Sequence, residues 1–102
     1  LPEIGFRDGK VVKVTFYEWA ANREVISFSE YGMGRDGGYY EYYYDSNHGD
    51  SGEVRTTKEK LGRMEEGLKG KFPILEVIGN DHERVSNLLD KRGIRFCAYN
   101  MI

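Results

Sequence analysis

The sequence has few of the features that indicate disulfide cross-links, a membrane-spanning helix or the binding of a polyanion. One of the 102 residues is a cysteine, Cys97, which excludes an intrachain disulfide and favours a reducing, cytoplasmic compartment. No apolar run approaches the roughly 20 residues that a membrane-spanning helix requires. Lys and Arg number 15 against 17 Asp and Glu, and the cations are dispersed, whereas a phosphate-backbone binder usually carries a basic stripe.

What is present is a globular composition that is rich in glycine and tyrosine. Charged residues make up 31% of the chain and hydrophobic residues 39%, a balance typical of a folded domain. The length predicts a single domain covering residues 1–102, with no linker or repeat inside it. The core of such a domain is small, so a homodimer is one way to cover more apolar surface.

The N-terminal third of the chain predicts three consecutive strands. The first two, Glu3–Arg7 and Lys10–Trp19, flank Asp8-Gly9, a pair that favours a type I′ hairpin because both central residues need positive φ. A turn at 20–23 and a third strand at 24–31 follow. We expect a core face made of Val12, Val14 and Phe16 on the second strand and of Ile26 and Phe28 on the third, with Phe16 opposite Phe28.

The densest aromatic segment is residues 39–44, in which five of six residues are tyrosine. Glycine-rich loops precede it at 32–38 and follow it at 45–52, so the segment predicts a fourth strand between two surface loops. A period of two puts Tyr39, Glu41 and Tyr43 on one face of this strand. Glu41 marks that face as the wetter one, because an unpaired carboxylate is rarely buried.

The C-terminal half predicts helices alternating with strands. A capping box at residues 56–59 opens a helix that ends near Gly70, and a short apolar strand at 74–78 follows Pro73. A second cap at 80–83 opens a helix that ends at Gly93, and the last strand is predicted at 94–99. The order ββββαβαβ predicts an α+β fold, a single mixed β-sheet with two helices packed on one face.

Several sequence patterns resemble ligand sites without completing them. Residues 32–37 spell G-x-G-x-x-G, but a strand follows instead of the helix that a dinucleotide site needs. The segment at 45–56 resembles a calcium loop, yet Gly49 stands where a ligand belongs. His48, His82 and Cys97 lack zinc-ligand spacing, and Cys97 is predicted to be buried and inert. We therefore predict no metal, no cofactor and no catalytic residue.

The tyrosines give the best functional hypothesis, because tyrosine and tryptophan are enriched at protein interfaces. We expect an exposed aromatic face to make the contact, and three charged residues to set the register of binding. The predicted aromatic residues are Tyr17, Trp19, Tyr31, Tyr39 and Tyr43, and the charged ones are Arg35, Asp36 and Glu41. These predict a small binding protein that contacts a protein partner or a second copy of itself. Small inhibitor and immunity-type proteins are often built in this way.

Two other functions stay open at this point. A small enzyme or ligand-binding domain would have a pocket under the glycine-rich loops, lined by tyrosines, His48 and Asp50. Single-stranded nucleic-acid binding would use the same aromatic face for base stacking, but Glu18, Glu30 and Glu41 disfavour a polyanion there. The sequence favours a binding protein over an enzyme, and it gives no indication of membrane contact.

Overall fold

The computed structural model of the chain describes residues 1–47, 49–68 and 70–102, and at residues 50, 51, 53 and 54 the backbone alone. The described residues form six strands and three helices. The strands are β1 (Glu3–Arg7), β2 (Lys10–Trp19), β3 (Val25–Met33), β4 (Tyr39–Asp45), β5 (Asp50–Arg55) and β6 (Cys97–Asn100). The helices, between β5 and β6, are α1 (Lys58–Gly67), α2 (Ile74–Val77) and α3 (His82–Lys91).

All six strands belong to one sheet with the order β5-β4-β3-β2-β1-β6. The first five strands form an antiparallel meander, and β6 pairs with β1 in parallel, which makes the sheet mixed. The predicted class is confirmed: the fold is α+β, with a single mixed sheet and helices on one of its faces. Strand register therefore decides which side chains meet the helices and which do not.

The tight turns follow from local sequence. Asp8 and Gly9 have φ values of 53° and 76°, so the β1–β2 connection is the predicted hairpin with both central residues left-handed. The β2–β3 turn is closed by two backbone hydrogen bonds between Ala20 and residues 23 and 24, and Arg23 takes a φ of 68°. The two turns set the pairing next to them, and a β-bulge in each ladder then shifts the register farther along the strands.

A β-bulge in β2 corrects one predicted core residue. Ile4 pairs with Val14 and Phe6 pairs with Val11, so one extra residue of β2 lies between these pairs. Val11 and Val14 are therefore both fully buried, and Val12 is only partly buried. The prediction that Val12 shares the core face is wrong, because strict alternation does not hold across a bulge.

The core lies between this side of the sheet and the three helices. Its fully buried side chains are Ile4, Val11 and Val14 from the sheet and Leu61, Ile74, Val77, Val85 and Leu89 from the helices. Phe16 extends the core by an edge-on contact with Phe72, whose ring centroid lies 5.0 Å away. We call this side of the sheet the helix-bearing face.

The two longer helices begin where the sequence indicates, and α3 also ends there, whereas α1 ends at Gly67, three residues before the predicted Gly70. Thr57 caps α1 by accepting a hydrogen bond from the Lys60 amide at 3.2 Å, and Asp81 caps α3 by accepting one from the Arg84 amide at 2.9 Å. Gly93, with a φ of 67°, follows the end of α3 as predicted.

Three elements differ from the predicted order, which the structure replaces with βββββαααβ. Residues 74–77 form the helical turn α2, not a strand, and Ile74, Val77 and Ile78 are buried at helical spacing. A short apolar run does not distinguish a strand from a buried helix by its periodicity. Part of the second predicted loop is the edge strand β5, and the last strand begins at Cys97, three residues later than predicted.

Candidate functional site

The face of the sheet opposite the helices is the candidate site, and we call it the open face. Cross-strand pairs share a face, and Tyr17 pairs with Phe28, which pairs in turn with Tyr44. One row of aromatic side chains therefore crosses β2, β3 and β4. Within the described part of the chain, all three helices lie on the other face, so no helix covers this row.

Five rings on the open face form a continuous surface that we call the aromatic panel, made of Tyr17, Trp19, Phe28, Tyr42 and Tyr44. The Tyr17 ring centroid lies 5.7 Å from those of both Trp19 and Phe28. Phe28 lies 5.6 Å from Tyr42 and 5.4 Å from Tyr44, each with an interplanar angle of 24°. These are the separations of favourable aromatic pairs, so the rings order one another. Trp19 remains 55% exposed.

A polar cluster centred on Glu30 adjoins the panel on the open face. Its carboxylate accepts a hydrogen bond from the Tyr40 hydroxyl at 2.9 Å and one from the Thr15 hydroxyl at 3.3 Å. The Lys13 ammonium lies 3.6 Å from the same carboxylate, and 5.6 Å from the centroid of the Tyr99 ring. The acid is thus compensated from three sides, which is how a carboxylate with an 18% exposed side chain is tolerated.

Two glycines make room for this cluster. A Cβ atom on Gly32 would lie 2.7 Å from the Tyr40 ring and 2.5 Å from the Val12 carbonyl oxygen. A Cβ atom on Gly5 would lie 3.0 Å from the Tyr99 ring. The two tyrosine rings therefore lie over glycine backbone. At Gly32 the backbone contact leaves no space for a larger residue, whereas at Gly5 the neighbouring side chains would have to shift by a few tenths of an ångström.

Two pKa values on the open face are perturbed by this packing. Burial alone would lower the pKa of Lys13, but the Tyr99 hydroxyl and the Glu30 carboxylate outweigh it and hold that pKa above its usual value. Burial raises the pKa of Tyr17. The nearby Glu3 carboxylate, which accepts a hydrogen bond from the Tyr17 hydroxyl at 3.2 Å, raises it further. Both groups therefore keep their neutral-pH protonation into the alkaline range.

The structure separates the residues that the sequence grouped as one contact face. Tyr17 and Trp19 lie on the open face as predicted. Tyr31, Tyr39, Glu41 and Tyr43 lie on the helix-bearing face, since Tyr31 pairs with Glu41 and with the buried Val14. Tyr31 is 6% exposed, and burial raises its pKa. The predicted sharing of one face by these residues with Tyr17 and Trp19 is wrong.

Arg35 and Asp36 lie in the β3–β4 loop, away from the panel, and both are exposed. The Asp36 carboxylate accepts hydrogen bonds from Arg55 at 2.8 Å and from the Gly38 amide at 2.9 Å, and these contacts lower its pKa. The loop also closes on itself through the amides of Gly34 and Gly37. This is the hairpin loop predicted in place of a nucleotide site.

Phe28, Tyr42 and Tyr44 are the panel residues that the sequence did not assign to the contact face. The predicted pairing of Phe16 with Phe28 is one position off, because Phe16 pairs with Ser29 and Tyr17 with Phe28. A one-residue change of register moves every side chain to the other face. The shift comes from a β-bulge beside the β2–β3 turn: Trp19 pairs with Val25 in the predicted register, but Glu18 already pairs with Ser27.

The other predicted ligand positions are dispersed. Cys97 is exposed, which corrects the prediction that it is buried. The His82 ring packs against Phe6 and Phe96 at centroid distances of 5.3 and 6.1 Å. His48 and the side chain of Asp50, which were proposed to line a pocket, lie outside what the structure describes. Within the described residues, no three His, Cys, Asp or Glu side chains come close enough to hold a metal ion.

Comparison of the chain with protein-family models, with curated proteins and with solved structures finds no match. Function is therefore argued from the geometry of the site alone. None of the described helices is both long enough and apolar enough to cross a bilayer.

Proposed function

We propose that this protein is a binding protein and that the aromatic panel is its contact surface for another protein chain. The observation that supports this proposal is the continuity of five rings on a sheet face that no described helix covers. Tyrosine and tryptophan dominate the energetically important residues of protein interfaces, since they offer large contact area at little cost in conformational entropy.

The size of the open face fits this function. Six strands about 4.8 Å apart span roughly 24 Å, and six residues along a strand span roughly 20 Å. The resulting area of roughly 500 Å² in plan is comparable with the about 800 Å² of accessible surface that each partner buries in a standard interface. The panel occupies one end of this face, and the Glu30 cluster would form a polar region beside it.

Charge on the open face favours a protein surface over a nucleic acid. Glu3 and Glu30 contribute two carboxylates, and the cations Lys13 and Arg55 of the same face already contact Glu30 and Asp36. A single-strand binder combines aromatic stacking with a positive groove along the backbone, and this arrangement lacks the positive groove within the described residues. Neither of the two cavities described for this chain is lined by a panel ring, so a flat contact fits better than an enclosed ligand.

The test compares two neighbouring tyrosines that lie on opposite faces of β4. Tyr44→Ala removes a panel ring, whereas Tyr43→Ala makes the same change on the helix-bearing face. Sedimentation of the wild type over a concentration series first establishes whether the partner is a second copy of the chain. If it is, Tyr44→Ala should weaken the dimer by roughly 1–3 kcal/mol and Tyr43→Ala should not.

If the wild type is a monomer, the same pair of variants is used to compare proteins retained from native lysate. A partner bound by wild type and Tyr43→Ala, and lost with Tyr44→Ala, is then purified and titrated directly. Trp19 is the single tryptophan of the chain and lies on the panel, so its emission should shift to the blue when the surface is desolvated. Equal retention by both variants contradicts the proposal.

A further inference from the structure

A cavity of about 750 Å³ lies apart from the panel, where the β1–β2 turn, the β3–β4 loop and the segment after β6 meet. Its volume is within the range of about 300–1,000 Å³ that is usual for small-molecule sites. One wall is anchored by the backbone, because the Met101 amide donates a hydrogen bond to the Phe6 carbonyl at 2.7 Å. The cavity is thus formed by three segments that are distant in sequence.

Three cationic side chains line this cavity. Arg7 ends β1, Lys10 begins β2, and Arg35 lies in the β3–β4 loop. Asp8 is the one carboxylate side chain among the residues that line it. Within the described part of the chain, none of the three cations makes an ion pair or a side-chain hydrogen bond. An excess of unpaired positive charge in a concave site attracts an anion.

The Arg7 guanidinium supplies an independent observation. Its Nε atom is buried and has no hydrogen-bond partner. A buried, charged N–H group without an acceptor is unfavourable, and such groups in native structures usually have a partner. Solvent does not reach this Nε atom, so an anion in the cavity would be bound by the terminal amino groups of the guanidinium, which can hold a carboxylate or a phosphate through two parallel hydrogen bonds.

The remaining walls of the cavity are apolar. Val12, Met33 and Met101 contribute them, and the Met101 sulfur lies 3.0 Å from the position that a Cβ atom on Gly5 would take. Methionine adapts its shape to irregular ligands, which suits a site that accepts a flexible apolar group. A purely inorganic anion would leave these walls without a contact.

We propose that this cavity binds a small organic anion, with a carboxylate or phosphate head against Arg7, Lys10 and Arg35 and an apolar body against Val12 and the two methionines. The cations are grouped around one cavity and do not form a stripe, which fits a small ligand better than a nucleic-acid backbone. The site is separate from the aromatic panel, so it stands whether or not the panel binds a protein.

The test is a titration followed by backbone amide NMR shifts, with four probes: hexyl phosphate, hexanoate, inorganic phosphate and hexanol. We expect saturable shifts at Gly34 and Arg35 with at least one of the two amphiphilic anions, about tenfold or more tighter than with inorganic phosphate. Hexanol should cause no saturable shift there. Whichever of hexyl phosphate and hexanoate binds more tightly identifies the preferred head group.

Charge-matched variants separate the site from a general effect of charge. Lys10→Gln and Arg7→Gln should each weaken binding of the better probe by about tenfold or more, since each removes a charge-assisted contact. Arg63→Gln, an exposed change of equal charge on α1, should change it less than twofold. If Arg7→Gln does not fold, Arg35→Gln at an exposed loop position replaces it.

Three results would overturn the proposal. The first is the absence of saturable shifts at the cavity with millimolar hexyl phosphate and hexanoate. The second is equal binding of hexanol, which would mean that the cations do not take part. The third is equal weakening by Arg63→Gln and Lys10→Gln, which would mean that only the net charge of the protein matters.

Discussion

Tyr40→Phe tests whether the Glu30 cluster stabilises the open face. The substitution removes one hydroxyl, which donates a 2.9 Å hydrogen bond to a carboxylate whose side chain is 18% exposed. Hydrogen bonds to charged groups contribute about 1.5–3 kcal/mol, and partial exposure places this one near the lower end. We therefore expect the free energy of unfolding to fall by about 1–2 kcal/mol. The ring itself keeps its place over Gly32.

The assay is urea unfolding followed by far-UV circular dichroism, with the slope m expected to stay unchanged. For a domain of this size the same loss corresponds to a fall in Tm of roughly 5–15 °C. Tyr42→Phe is the matched control, two residues away on the same face of β4. Within the described residues its hydroxyl makes no hydrogen bond, so its removal should cost less than about 0.5 kcal/mol.

A double-mutant cycle isolates the contribution of this pair. Glu30→Gln keeps the shape of the side chain and removes its charge, and the cycle of Tyr40→Phe with Glu30→Gln should give a coupling free energy near 1 kcal/mol. Equal costs for Tyr40→Phe and Tyr42→Phe, or a coupling close to zero, would refute the idea that Glu30 organises this part of the sheet.

Three further predictions follow from packing and charge. Gly32→Ala should strongly destabilise the fold because its Cβ atom would overlap backbone and ring atoms, whereas Gly67→Ala, with no atom within 4 Å, should stabilise α1 by about 0.5–1 kcal/mol in thermal unfolding. Leu89→Ala should cost about 2–5 kcal/mol in urea unfolding, and the half-buried Leu88→Ala clearly less. The pKa of Tyr17 is raised above 10.0 in the folded state. The stability that the neutral hydroxyl contributes is therefore present at lower pH and is lost as the pH rises through the folded-state pKa. Tyr17→Phe should consequently make the free energy of unfolding fall less steeply above about pH 10.

Local signals in the sequence were sufficient for much of the fold. Asp8-Gly9 predicted the first hairpin, and the cap at residues 80–83 and Gly93 predicted the limits of α3. Each of these signals depends on the chemistry of a few neighbouring residues, and none of them needs knowledge of the rest of the chain. The α+β class followed from the order of the segments.

The errors arose where tertiary context decides. The helices pack against β3 only near Tyr31 and Met33. At the other end of β3, Ser27 and Ser29 lie on the helix-bearing face and Phe28 lies on the open face. Hydrophobicity alone assigned these faces the other way round. The edge strand β5 is polar, and an edge strand can be polar because it has a neighbour on one side only.

The sequence therefore predicted the type of candidate site but not most of the residues that form it. A tyrosine-rich surface was expected, and Tyr17 and Trp19 are part of it. The remaining members depend on a register that is shifted by a β-bulge between Glu18 and Trp19, and sequence reasoning did not predict that bulge. The cationic cavity also escaped prediction, since Arg7, Lys10 and Arg35 come together only after the β3–β4 loop folds towards the first hairpin.

The parallel pairing of β1 with β6 has a consequence for how the chain folds. Every other ladder joins strands that are neighbours in sequence, so the meander depends on local contacts and can form early. The last ladder joins residues 3–6 to residues 97–100. During synthesis β1 is therefore an unpaired sheet edge until residues 97–100 have left the ribosome, and throughout that interval the nascent sheet can pair wrongly with another chain.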